Sequence, residues 1–392
     1  MSRVFTTGDA IALFSTTAFR GAEEMSNTRV LMGFVLGLVI AAGGFPPNGS
    51  AQTTTDGFVS SPAGKTAFLN GDYAQAESYF RDALRHAEEV NAPPGRMATA
   101  MGNLAQVLDT RGRTKEAEEL FDRALKESSA SADPRVRTIL LLNLSGLYTH
   151  TDRLSRAESI LDEVVVSCRK QFGPESKELA NALKRQGIVY AMTKRVSRAE
   201  SRLKEALAIA EKQPAVPPDE LSTILTTLAG IYSLQKKWSQ ADSLLVRAVA
   251  IYERSFGPEH PGVSDIMVNL GEQKILQHDF VRAEAAFRRA LDIRQAVFGR
   301  DHISVARAST RLAAVLTALH KNEEAHSLFT SSLPVEERVL GFGDPEFATG
   351  LEQFGKLLRQ MQDAAQAETV EARARSIRET LAFTVSADQL QK

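Results

Sequence analysis

The sequence predicts an all-α repeat array, and three observations predict it. An alanine recurs at Ala76, Ala117, Ala157, Ala199, Ala241, Ala283, Ala325 and Ala367, at intervals of 41, 40, 42, 42, 42, 42 and 42 residues. Behind the anchors, apolar residues follow four, seven and eight positions on, as in Ala117, Phe121, Ala124 and Leu125 or Ala241, Leu245, Ala248 and Val249. Those spacings mark one face of a helix. Thirteen residues ahead of six anchors stand Leu104, Leu144, Leu228, Leu270, Leu312 and Phe354, and twelve residues ahead of seven anchors the residue is small: Ala105, Ser145, Gly187, Ala229, Gly271, Ala313 and Gly355. A period of this length is one supersecondary unit copied along the chain. Each copy is a pair of helices that buries too little surface to stand alone.

From the N-terminus, Val30 to Phe45 is a sixteen-residue uncharged and mostly apolar run, preceded by Arg29 and followed by small residues ending at Ala51. This is the pattern of a secretory signal cleaved after Ala51. The run falls short of the ~20 residues of a spanning helix; uncleaved, it would serve as a membrane anchor. Residues 1–51 are therefore read as a leader, with its apolar core at 30–45. Glu23 and Glu24 place negative charge where a signal needs positive charge, which points to Met25 as the start of a compact leader. Under either alternative the repeats are expected outside the cytoplasm, periplasmic, extracellular or membrane-tethered. Residues 52–61 are polar and read as a flexible lead-in.

The repeats occupy residues 62–383, with a tail at 384–392. The first unit has a shortened leading helix from Pro62, and Gly64 is its small residue. Pro62-Ala63-Gly64-Lys65-Thr66 is no phosphate loop, because Val59 stands where that motif needs glycine and no strand precedes it. Second helices end at Phe172-Gly173, Phe256-Gly257, Phe298-Gly299 and Leu340-Gly341, where glycine is expected to form a left-handed cap. Asp133-Pro134 and Asp344-Pro345 supply a capping acid and a proline at the first helical position. The last unit carries Glu371 and Arg375 where the others are mostly apolar, as suits an outer face with no following repeat.

Composition removes several functions. The chain has 392 residues, with 47 basic and 48 acidic side chains spread along every repeat and a formal net charge of −1. That balance gives neither a nucleic-acid footprint nor a polybasic lipid-binding cluster. Cys168 is the only cysteine, so no intrachain disulfide or cysteine-rich metal centre can form. Seven histidines are scattered, His320 and His326 being the nearest pair, without a His-Glu-x-x-His spacing; no Gly-x-Ser-x-Gly elbow occurs. No metal, cofactor or active site is expected.

With the register derived, the units resemble tetratricopeptide repeats of the longer class found in kinesin light chains. The resemblance is carried by the small–large–small pattern over eight copies and by Phe256-Gly257-Pro258-Glu259-His260-Pro261, echoed in Phe298-Gly299-Arg300-Asp301-His302 and Phe172-Gly173-Pro174-Glu175. Tyr148, Tyr190 and Tyr232 match the aromatic of the family's first helix, and Lys274 departs from it. The resemblance implies a right-handed α–α superhelix of about eight hairpins, with first helices lining a concave groove that binds a peptide segment of a protein partner. It also implies that Asn103, Asn143 and Asn269 hydrogen-bond the backbone of that segment. Arg185, Thr227, Arg311 and Gln353 replace asparagine in the other units. Specificity is expected from neighbours on the same face: Lys184, Arg185, Ile188 and Met192 in the fourth unit, Asp265, Val268, Glu272 and Leu276 in the sixth, Arg307 and Arg311 in the seventh. The expected function is a non-catalytic interaction scaffold. The alternatives are a self-associating structural protein, hence a homo-oligomer, or an accessory subunit of an envelope complex.

Overall fold

The structure, a computed structural model, describes residues 61–69, 72–213, 216–340 and 344–390. Among the described residues there are sixteen helices and no strand. Those through the fourth hairpin are α1 (Pro62–Leu69), α2 (Tyr73–Glu89), α3 (Pro94–Thr110), α4 (Thr114–Ser128), α5 (Pro134–His150), α6 (Leu154–Phe172), α7 (Lys177–Met192) and α8 (Val196–Lys212). They continue as α9 (Pro218–Leu234), α10 (Trp238–Phe256), α11 (Pro261–Leu276), α12 (Phe280–Phe298), α13 (Ile303–Ala318), α14 (Asn322–Leu340), α15 (Pro345–Gln360) and α16 (Ala364–Leu390). The odd-numbered helices lead each hairpin and the even-numbered ones return. The helix α16 runs past residue 383, because residues 384–390 hold neither proline nor glycine to stop it. The leader, the lead-in through residue 60 and the Gly341 joint lie outside the described residues. No described helix is long and apolar enough to cross a membrane, and the Val30–Phe45 run is not among them.

The helices fall into two compact units, one reaching Leu228 and the other starting at Ala229 within α9. In each, a helix packs on its hairpin partner and on the next hairpin. Leading helices also pack on leading helices, α3 on α5 and α5 on α7 in the first unit, and α13 on α15 in the second. That gives each unit a wall made of leading helices.

All eight anchor alanines are 0 % exposed. A methyl side chain there lets the two helices of a hairpin approach, and the position four residues on fills the space across from the small residue of the leading helix. A Cβ added at Gly64 would meet Phe80 at 2.8 Å, at Gly187 it would meet Leu203 at 2.7 Å, and at Gly271 it would meet Phe287 at 2.8 Å. In the last hairpin the same contact is Gly355 against Glu371, at 2.7 Å. Each large buried side chain contributes about 1.5–3 kcal/mol.

The joints correct the expected cap. Gly173, Gly257 and Gly299 have φ of 91°, 90° and 78°, but ψ of 168°, 160° and 162°. This is the glycine-only extended region with positive φ, not the left-handed helical one. Apart from Asn91 at the first joint, the described positive-φ residues that remain stand at the turn inside the hairpins, five residues before the anchor: Gly112, Asp152, Lys194, Lys236, His278, His320 and Gln362. Only one of the seven is glycine, so composition hides the position. Asp133 and Asp344 cap α5 and α15 as the sequence predicts, accepting from the Arg135 and Glu346 amides. His260 and His302 cap α11 and α13, their Nδ1 atoms accepting from Gly262 N at 3.1 Å and Ser304 N at 3.2 Å.

Candidate functional site

The sequence-selected residues lie on leading helices, and the two units treat them differently. In the first unit, Asn103 on α3 is 5 % exposed, while Asn143 on α5 is half-buried and makes no hydrogen bond among the described residues. On α7, Arg185 occupies the same register. Its Nη1 donates to the Leu142 carbonyl of α5 at 3.2 Å and its Nε to Asn181 Oδ1 at 3.2 Å. Burial lowers its pKa to about 10 against the opposing pull of Glu220. Lys184 and Met192 are half-buried, and Lys184 makes no hydrogen bond or ion pair among the described residues. Burial lowers the Lys184 ammonium as well, with Glu220 and Asp219 of α9 working against it.

Two first-unit residues are sealed rather than offered. Ile188 is 5 % exposed, and Thr227 is 0 % exposed with its hydroxyl donating to the Thr223 carbonyl at 2.8 Å. The Thr227 hydroxyl spends its one hydrogen on its own helix, and full burial keeps its lone pairs from a ligand. Both are packing residues in this structure.

In the second unit the wall is closed by its own charges. Arg311 Nε lies 3.0 Å from Glu272 on the preceding leading helix, and its Nη2 lies 3.2 Å from Glu346 on the following one. Arg307 Nε lies 2.7 Å from the other Glu346 oxygen. Burial would lower the Arg311 guanidinium, but Glu346, Glu272 and Glu336 outweigh it and raise its pKa. Below this row, Thr310 Oγ1 donates to Glu336 at 2.5 Å, and Glu336 is 1 % exposed. Asn269 is 4 % exposed without a hydrogen bond among the described residues; Asp265 is exposed and paired with Arg294 of α12 at 2.7 Å. Val268, Leu276 and Gln353 belong to the packed or half-buried surface of their helices.

Glu220, Glu336 and Glu346 matter here and the sequence reading did not single them out. Glu220 and Glu346 stand in the first turn of their helices, where an acid is ordinary dipole compensation. Only the packing of neighbouring leading helices turns them toward Lys184 and Arg311. His320 and His326 do not form a ligand pair: His320 Nδ1 meets Gln360 at 2.8 Å, and the His326 ring packs on Phe354. No group of three or more metal-ligating side chains occurs among the described residues.

With this geometry in hand, comparison places the fold. The tetratricopeptide repeat family matches residues 61–126, 136–212, 220–295 and 264–338, and the chain belongs to that family. Solved structures with the same fold include BtubC (BKLC) from P. vanneervenii, 22 % identical, with a TM-score of 0.52 over 58 % of this chain and 92 % of that one. Another is the apo form of the quorum sensor NprR from B. thuringiensis, 12 % identical, with a TM-score of 0.57 over 91 % of this chain and 89 % of that one. A third is a Rap protein complexed with competence and sporulation factor, 14 % identical, with a TM-score of 0.50 over 84 % and 99 %. No curated protein sequence matches the chain. The family is one of protein-interaction scaffolds, and a protein or peptide is the class of partner that this fold takes.

Proposed function

We propose that this chain is a non-catalytic scaffold that holds an extended segment of a partner protein along the wall of leading helices. One observation carries the reading: the repeat sets Asn143 at a fixed register on that wall, half-buried and with its amide making no hydrogen bond among the described residues. An amide offers a donor and an acceptor to any peptide backbone, whatever its side chains. The likeness to a Rap protein complexed with competence and sporulation factor, and to the quorum sensor NprR, supports a wall that receives a ligand. The test is crosslinking capture from native cells with the chain carrying Asn143→Ala. Capture should weaken while helicity by circular dichroism stays constant; undiminished capture would move the site to the returning helices or the joints.

The scaffold works outside the cytoplasm in this reading, exported or tethered through residues 30–45. The support is the apolar run behind Arg29 with small residues up to Ala51. N-terminal sequencing of the mature protein checks it. A start at Gln52 fits export, membrane-fraction protein retaining residues 30–45 fits the tether, and soluble cytoplasmic protein retaining them refutes both.

A further inference from the structure

The wall of the first unit holds a cation that no described residue neutralises at contact distance. The Lys184 ammonium on α7 is half-buried, and it has neither an ion pair nor a hydrogen bond among the described residues. The charges that act on it are Glu220 and Asp219 from α9 and Arg185 from its own helix. Glu220 is 9 % exposed, burial pushes its own carboxyl up, and it forms no ion pair with Lys184. An ammonium held among protein atoms without a partner gains more from an arriving anion than a solvated one does, because less water screens the pair.

The second unit supplies the contrast. Arg311 sits in the same register as Arg185, yet glutamates on both neighbouring leading helices hold it, and Arg307 shares one of them. Anions of the chain already occupy that wall. In the first unit, Asn143 lies beside Leu142, whose carbonyl Arg185 reaches, so the amide and the α7 cations belong to one stretch of adjoining helices.

We propose that the wall of the first unit takes an acidic segment of the partner, with a side-chain carboxylate on Lys184 and a backbone amide on Asn143. The proposal rests on the reading of the leading-helix wall as the binding face; it names which unit binds and the chemistry of what is bound. The second unit's wall is then a structural element closed by its own ion pairs.

The experiment selects twelve-residue peptides from a random displayed library on the full chain, then titrates a fluorescein-labelled selected peptide by anisotropy. The expected peptides carry an excess of Asp and Glu. Lys184→Gln should weaken binding about tenfold or more, Lys184→Arg should keep most of it, Asn143→Ala should weaken it severalfold, and Asn269→Ala should leave it unchanged. Neutral or basic peptides, or acidic ones indifferent to Lys184→Gln, overturn the proposal. Peptides lost on Asn269→Ala but not on Lys184→Gln keep the wall reading and sink this one, whereas a library with no peptide sensitive to any wall residue sinks both. Circular dichroism of each variant separates lost binding from lost folding.

Discussion

The Lys274 ammonium lies 2.6 Å from Asp242 Oδ2 and is 5 % exposed, and this lysine stands in for an arrangement that neighbouring repeats build from two residues. Elsewhere, the acid after the anchor meets a cation from the next hairpin, as in Glu77 with Arg113 at 2.7 Å, Glu158 with Arg195 at 2.6 Å and Glu284 with Lys321 at 2.7 Å. In the third and fourth hairpins a tyrosine packs under that cation, Arg153 standing 4.4 Å from the Tyr148 ring centre and Arg195 4.6 Å from that of Tyr190, whereas Leu108 and Leu316 hold that position in the hairpins of Arg113 and Lys321. In the sixth hairpin the cation position holds Asp279, which caps α12, and Lys274 fills the tyrosine position while carrying the charge. Gln273 also reaches Asp242, at 2.6 Å.

Lys274→Ala should therefore be costly, because it leaves the buried side of Asp242 without its counter-charge. A loss of about 3 kcal/mol is expected, with most of it recovered in the Lys274→Met, Asp242→Asn double variant. Urea unfolding of Lys274→Ala, of the double variant and of each of its single substitutions measures it. Additive losses would show that the two side chains do not act as a pair.

Gly271→Leu should destabilise by about 1–3 kcal/mol, since Phe287 already stands 2.8 Å from where a Cβ would go. Gly355→Ala should cost much less. Its obstacle is the Glu371 side chain, ion-paired with Arg359 at 2.6 Å and free to swing toward solvent. Melting temperatures compare the two, and equal losses would refute this account of the hairpin contact.

Glu336 should make the second unit less stable as the solution becomes more alkaline. Burial lifts its carboxyl from 4.5 to about 7, with Thr310, Arg307 and Arg311 opposing and Glu346 reinforcing. Between those values the unfolded chain has released the proton that the folded chain keeps, so stability falls as pH rises from 4.5 to about 7 and levels off above. The full effect is up to about 3 kcal/mol. Glu336→Gln should flatten that slope and raise the melting temperature at pH 8; an unchanged slope would remove Glu336 as its source.

The Glu158–Arg195 pair should act in the opposite direction. The Arg195 hydrogen bond, against some burial, holds the Glu158 carboxyl below its ordinary value. Its contribution is present above about pH 4.5 and is lost as pH falls through the lowered value. Both groups are partly exposed, so Arg195→Ala should cost only about 0.5–1 kcal/mol, less at high salt. A loss independent of salt would assign the effect to packing on Tyr190 instead.

Chain chemistry by itself determined the repeat, the pairing of helices and the close approach at Gly271, because periodic small and apolar residues have one low-energy arrangement. It also marked Asn143, Lys184 and Arg311, since they recur near one register. It did not determine which of these still have bonding capacity to offer. Thr227 and Ile188 share the face but are sealed, and Arg311 is neutralised by Glu272 and Glu346 from 39 and 35 residues away. Nor could it foresee that Lys274, an apparent defect, would be matched by Asp242. Those outcomes depend on which side chains the stacking of neighbouring hairpins brings within a few ångströms, where burial and Coulomb attraction act, and a linear pattern carries no distances.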